Sequence, residues 1–266
     1  MPDPAASVPP YRRYAETLRN DIQGRVLAAG DKLPSEHQLA ERFGTTRATI
    51  RKAIALLRAE GLVVSHQGKG AFVRSAPRVR MLGGGEHYRM RRGSGKSNFN
   101  AEAEAQGRAA VQHIREVREA LAPPEVAEAL DVPFGESVIV RRRLFTVDEE
   151  PMQLVDGYYP VDLARNTPIA EPRRIRGGVH AFLENPAGPV RRRVARFVED
   201  LHVRMPTPSE VSELNIPPGV PVARVFRTAY DAEGVPLEVL DSLVPCDRHA
   251  FRYVIDVPAA GDTQQT

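Results

Sequence analysis

Apolar residues recur along the first quarter of the chain at two different periods. Tyr11, Ala15, Leu18, Ile22 and Val26 fall on one narrow face at helical spacing, which predicts a helix ending near Gly30-Asp31. Ser35 is suited to cap a second, short helix, and Gln38 three residues on completes a capping box; Leu39, Ala40 and Phe43 give that helix its apolar face. Gly44 supplies a turn, and Thr45 or Thr46 can cap a third helix. At about 100° per residue, Ile50, Ala53, Ile54, Leu56 and Leu57 fill one half of that third wheel. Arg47, Arg51 and Arg58 form a stripe beside them, with Lys52 further round. After Gly61 the pattern changes. Leu62–His66 reads as a strand, Gln67-Gly68-Lys69-Gly70 as a tight turn and Ala71-Phe72-Val73 as the returning strand. Two short helices across a glycine turn, followed by a hairpin, predict a winged helix-turn-helix over residues 11–75.

A composition break follows. Residues 76–97 are rich in Gly, Ser and Arg without a sustained period, which predicts a linker. Residues 98–258 then contain a weak internal repeat. Glu125–Gly135, Val138–Thr146, a turn at Asp148-Glu149 and Pro151-Met152 are echoed by Glu210–Gly219, Val222–Tyr230, a turn at Asp231–Gly234 and Pro236-Leu237. Each copy is a short helix, a Pro and Gly turn, a strand, a turn and a strand. Hairpin-linked strands among helices predict an antiparallel-sheet α+β domain, and two related halves offer a cleft where they meet. The ends, residues 1–10 and 259–266, have the composition of disordered tails.

Charge changes the picture more than overall composition does. The chain has 266 residues and a net charge of +3. Residues 1–80 hold 14 Lys and Arg against 7 Asp and Glu, whereas residues 97–266 hold 19 against 26. A basic front and an acidic back suggest that only the front meets a polyanion, although a solvated surface can also carry such an imbalance. One cysteine, Cys246, excludes an intrachain disulfide and a multi-cysteine zinc site, and the seven histidines show no ligand spacing. No run approaches a membrane span and no signal peptide is visible, so a cytoplasmic protein without metal or cofactor is expected.

The third helix carries the candidate chemistry. One face can pack while the other offers guanidinium groups and the hydroxyls of Thr46 and Thr49, which suits phosphate contacts and base-edge reading in a major groove. An ordinary amphipathic helix with a solvated basic face has the same wheel. The Gly-rich hairpin with Lys69 at its tip favours the first reading, because its glycines let backbone N–H groups approach a phosphate.

The segment LPSEHQLAERFGTTRATIRKAIALLRAEGLVVSHQGKGAFV resembles the DNA-binding domain of GntR-type regulators. That resemblance implies contacts to double-stranded operator DNA by Ser35, His37, Thr45, Thr46, Arg47, Thr49 and Arg51, with Gln67, Gly68 and Lys69 on the wing. His37 and Ala48 depart from the family's usual residues at their positions. Behind it, Ser97–Glu102, Gln106-Gly107, Arg143 with Pro151, Tyr230-Asp231 to Gly234, Pro236–Glu238 and Asp247-Arg248 resemble the UTRA sensor domain of the HutC branch. This implies a chorismate-lyase-like fold, a homodimer, no catalysis, and a small-molecule effector that changes DNA affinity. Of the pocket pattern of sugar-phosphate-sensing members, Arg143 and Glu238 are retained, while Phe145, Val155, Gly178 and Val244 stand at other pocket positions. A more apolar effector is expected. Arg141 should share the face of Arg143 on a strand, and His180 is expected to line the same cleft. Arg143 and Glu238 could equally form a structural ion pair.

Two other readings remain open from sequence. An enzyme of lyase-like fold would need a nucleophile–base pair or metal cluster, and none is visible. An effector-independent DNA-binding protein would have a back domain that takes no small molecule.

Overall fold

The computed structural model describes residues 8–66, 68–74, 81–83 and 98–253. Of the disordered tails expected at 1–10 and 259–266, residues 1–7 and 259–266 lie outside the described residues, as do Gln67 of the wing turn and most of the linker expected at 76–97; residues 8–10 are described, and a helix already begins at Pro10. The chain divides into two compact units, Met1–Arg78 with Val203–Val222, and Val79–His202 with Ala223–Thr266.

The front of the chain folds as α1 (Pro10–Gln23), α2 (Glu36–Phe43), α3 (Arg47–Ala59), β1 (Val63–His66) and β2 (Gly70–Val73). The wheel positions read from sequence form its core: Leu18, Leu39, Ile50, Ala53, Ile54 and Leu57 are buried with Val63 and Val73 from the hairpin. Each large aliphatic side chain so buried contributes about 1.5–3 kcal/mol. The strands β1 and β2 pair antiparallel, and Leu33 N–H donates to the Ala71 carbonyl, adding residues 31–33 alongside β2. The Ser35–Gln38 capping box is present, with Gln38 N–H on Ser35 Oγ at 3.2 Å and Ser35 N–H on Gln38 Oε1 at 2.8 Å. Gly44 ends α2 with φ +57°, a left-handed conformation that favours glycine. The first helix is shorter than its apolar period suggests. It stops at Gln23, Arg25 adopts φ +58°, and Val26 is 75% exposed rather than in line with Leu18.

The back of the chain contains β3 (Met81–Gly83), α4 (Asn98–Ala105), β4 (Ala110–Leu121), α5 (Pro124–Leu130), β5 (Ser137–Val147), β6 (Glu150–Pro160), α6 (Val161–Ala164), a 3-10 turn (Pro168–Ala170), α7 (Gly178–Leu183), β7 (Arg196–Arg204), α8 (Pro208–Leu214), β8 (Val222–Tyr230), β9 (Pro236–Pro245) and β10 (His249–Phe251). Six strands make one sheet in the order β4-β5-β6-β9-β8-β7, and the pairs β4–β5, β5–β6 and β6–β9 are antiparallel. The fold is α+β, as the hairpin-linked pattern predicted. A short parallel pairing of β3 with β10 lies inside the segment read as linker.

The internal repeat is structural. α5 and α8 each end on a left-handed residue, Asp131 and Asn215. Each is followed by a turn glycine of positive φ, Gly135 or Gly219, and then by a hairpin, β5–β6 or β8–β9. The two hairpins meet at the β6–β9 pair in the middle of the sheet. One sheet face packs Val138, Val140, Tyr158, Phe226 and Val239 under α5. The other is covered at one end by the 161–195 segment, through Ile169, Val179, Leu183 and Val194 against Ile139 and Tyr159. At its other end α4 covers it, through Phe99 and Ala103 against Phe145 and Val155.

Candidate functional sites

The exposed end of the helix-turn-helix is built from caps. Thr46 caps α3, accepting from Thr49 N–H at 3.2 Å, and its hydroxyl lies 2.9 Å from that of Thr49. Ser35, His37, Thr46, Arg47 and Arg51 are exposed, and Thr45 and Thr49 are half-buried. Gly68 and Lys69 are exposed on the wing; Gln67 is not described. The buried stripe of α3 fixes which side its guanidinium groups take: Ile50, Ala53, Ile54 and Leu57 face the core, leaving Arg47, Arg51, Lys52 and Arg58 outside.

Not all of these groups are equally uncommitted. Arg51 is held by Glu36 of α2, Nη2 to Oε2 at 3.1 Å, and this hydrogen bond and charge raise its pKa. His37 Nδ1 stands 3.3 Å from Glu41 Oε2 one turn on. Arg19 and Arg42, also basic residues of this unit, are engaged internally: Arg19 by Glu16 and Glu60, and Arg42 by Asp21 while it lies over the Phe43 ring. Arg47, at the first turn of α3, forms no ion pair among the described residues.

The second candidate site lies on the sheet face covered by the 161–195 segment and α4. Strand alternation puts Arg141, Arg143 and Phe145 of β5 on that face and sends Arg142 to the other, where Asp156 holds it at 3.1 Å. Across β6 and β9, Tyr159 and Glu238 join the same face. Glu238 is 2% exposed, and its two oxygens accept from the Tyr159 hydroxyl and from His180 Nε2 of α7, both at 2.6 Å. Burial by itself would push the Glu238 carboxyl up. The charge and hydrogen bond of His180, the Tyr159 hydroxyl and the field of Arg143 outweigh it and hold the pKa at about 2. Burial and the Glu238 charge push the Tyr159 phenol up, so it stays a donor. The His180 ring also packs at 5.8 Å from that of Phe197.

The two arginines on this face have different fates. Arg141, 1% exposed, places Nη1 on the carbonyls of Pro168, Ile169 and Glu171 and Nη2 on that of Arg173. It shares the face of Arg143 as expected, but it staples the Pro168–Arg173 segment instead of offering its terminal nitrogens to a ligand. Burial lowers its pKa, and the four carbonyls offset that cost for the charged form. Arg143, 8% exposed, has Nε and Nη2 buried without a hydrogen-bond partner among the described residues. It is not hydrogen-bonded to Glu238, whose oxygens are taken by His180 and Tyr159. Its guanidinium lies 5.8 Å from the Phe145 ring centroid.

Sequence reasoning thus brought Arg143, Glu238 and His180 to one face and missed Tyr159. The signal available for Tyr159 was a tyrosine on the second strand of the first repeat, β6. Among the described residues no group of three or more His, Cys, Asp or Glu side chains is arranged to hold a metal, and no helix is long and apolar enough to cross a membrane.

Comparison with known proteins bears on both sites. The family model for the UTRA domain matches residues 105–250, and that for bacterial regulatory proteins of the gntR family matches residues 10–73. An uncharacterized HTH-type transcriptional regulator of Streptomyces coelicolor is 27% identical over 98% of this chain and 97% of its own. The HTH-type transcriptional repressor NagR of Bacillus subtilis is 24% identical over 94% of this chain and 96% of its own. A crystal structure of a GntR-family transcriptional regulator superposes with a TM-score of 0.67 at 28% identity, covering 94% of this chain and 98% of that one. These relatives are named as regulators of transcription, not as enzymes.

Proposed function

The chain belongs to the UTRA-containing GntR-type regulators, DNA-binding proteins of transcription, and from that premise we propose that it is a homodimeric repressor of the HutC branch, released from its operator by a small molecule. The observation that carries the DNA half is the first turn of α3, where Arg47 stands exposed and, among the described residues, without an ion pair, next in sequence to the Thr46 cap whose hydroxyl meets that of Thr49. An arginine so placed can reach a guanine edge or a phosphate. Ser35, His37, Thr45, Arg51 and the wing residues Gln67, Gly68 and Lys69 complete the proposed contact set. Domain bounds of 11–75 and 98–258, with 76–97 joining them, form part of this proposal, as does a cytoplasmic location.

The effector half rests on Arg143, Glu238 and His180, with Tyr159 added and Arg141 recast as a positioning residue. NagR carries repressor in its name, which supports the sign of regulation proposed here. Release requires that the effector bind one arrangement of the dimer better than the other, since equal affinity shifts nothing.

Fluorescence anisotropy with labelled DNA from the chain's own promoter region tests the DNA half. Arg47→Ala is expected to weaken binding about tenfold or more. Unchanged affinity would refute the assignment of α3. A thermal-shift screen of the full chain against a metabolite library, followed by DNA release with each hit, tests the effector half. A releasing hit that is indifferent to Arg143→Lys, to His180→Ala and to Glu238→Gln would refute the assignment of this sheet face.

A further inference from the structure

The orphaned edge of Arg143 has a definite chemistry. Nε–H and the adjacent Nη2–H point the same way, so together they offer two parallel donors, the side-on fork that matches two oxygens of a planar acceptor. In the interior, a charged group whose donors find no partner is costly, and such a group calls for an explanation. The neighbours that could have satisfied it do not. Its cross-strand partners are Val155 on β6 and Ile114 on β4, both apolar. Glu238 is committed to Tyr159 and His180. Gly157 makes room for the fork, because a Cβ there would stand 2.9 Å from Arg143 Nη2 and 2.8 Å from the Tyr159 hydroxyl.

Charge and shape then narrow the ligand. The terminal nitrogens of Arg141 are spent on backbone carbonyls and only its Nε is left without a partner among the described residues, so the complete side-on fork on this face is that of Arg143. A dianionic phosphate presents three oxygens and asks for further donors, whereas a carboxylate presents two in one plane. Around the fork stand Phe145, Val155 and Ile114, with Leu240 packed against the cluster that holds Phe145 and Val155 and Phe99 tilted against Phe145 at 4.9 Å between ring centroids; the Tyr159 hydroxyl, across Gly157, is already given to Glu238. We infer that this chain's effector is a monocarboxylate with an apolar body, its carboxylate paired side-on with Arg143. This inference rests on the sheet face being the effector site, as proposed above.

The test is isothermal titration calorimetry of the full chain, which has no tryptophan to report binding by fluorescence. The probes are phenylacetate, hexanoate, phenylacetamide, phenyl phosphate and inorganic phosphate. At least one of the two carboxylates is expected to bind tenfold or more tightly than phenylacetamide and than either phosphate probe. Arg143→Lys, which keeps the charge and loses the fork, is expected to weaken it at least tenfold. Arg142→Gln, on the opposite face, is expected to leave it within twofold. Circular dichroism establishes that each variant folds, and the five probes on the unsubstituted chain decide the class if Arg143→Lys does not. The carboxylate class is overturned if phenylacetamide binds equally, if phenyl phosphate binds better, if Arg143→Lys has no effect, or if none of the five probes binds. Failure of the site itself reads differently: a library metabolite that releases DNA while ignoring Arg143, His180 and Glu238.

Discussion

At the scale of single residues, burial and partners decide what each charge can do. Arg141 and Arg143 are two positions apart on one strand and one face, yet four carbonyls occupy the first and two buried nitrogens of the second have none. No sequence pattern separates them, because the carbonyls come from a segment 27–32 residues downstream. The Tyr159–Glu238–His180 chain was only half legible for the same reason: three separate elements supply it. Its energetics are testable. Tyr159→Phe removes one donor from a buried carboxylate and is expected to cost about 1–3 kcal/mol. Because the folded pKa of Glu238 lies below its ordinary 4.5, at about 2, its stabilisation is present above pH 4.5 and is lost as pH falls towards 2. In Tyr159→Phe the folded pKa rises, so the acid limb of melting temperature against pH should move to higher pH. Gly157→Ala puts a methyl group against the Tyr159 hydroxyl and the Arg143 fork, and thermal melting should show a loss of about 1–3 kcal/mol.

At the scale of elements, what was legible was local. The capping box at Ser35, the αL turn at Gly44 and the buried stripe of α3 depend on residues within a turn or two of one another, and each is present. Where the sequence misled, a conformational preference lost to a neighbour. Val26 continues the apolar period of α1, but Gly24 caps that helix and Arg25 turns left-handed, so Val26 is left outside. The strands β4 and β7 escaped the sequence reading because their exposed edges carry too many polar residues for clean alternation. Parallel pairing of β3 with β10 joins positions some 168 residues apart, as His249 aligns with Met81, and no local pattern announces it. Ser35→Ala should destabilise the winged-helix unit by about 0.5–2 kcal/mol, with Ser35→Asp restoring most of it, as measured by chemical denaturation. Leu57→Ala, in the same core, should cost about 2–5 kcal/mol.

At the scale of the whole molecule, the uneven charge makes a prediction that single residues do not. If the basic front meets DNA through phosphates, log affinity should fall linearly with log salt, with a slope near −0.9 per phosphate neutralised. Lys69→Ala should flatten that slope by about 1 while weakening all DNA sequences alike, whereas Arg47→Ala should act more strongly on the operator than on random DNA. Anisotropy titrations at several salt concentrations separate the two. A slope of zero would remove the electrostatic argument altogether. The two family models divide the chain in the same sense as the charge does, with the gntR match on the basic part and the UTRA match on the acidic part.

The internal duplication has one more consequence. Aligning its copies strand on strand, from Val138 and from Val222, sets Arg143 opposite Arg227. Both lie over a phenylalanine ring, Arg143 at 5.8 Å from that of Phe145 and Arg227 at 5.3 Å from that of Phe197. Arg227 has a carboxylate, Glu199 of β7, with both oxygens 3.2 Å from Nη2. Arg143 has none. The molecule therefore carries its own matched control: one twin whose anion is built into the chain, and one whose anion, under the proposal above, comes from outside.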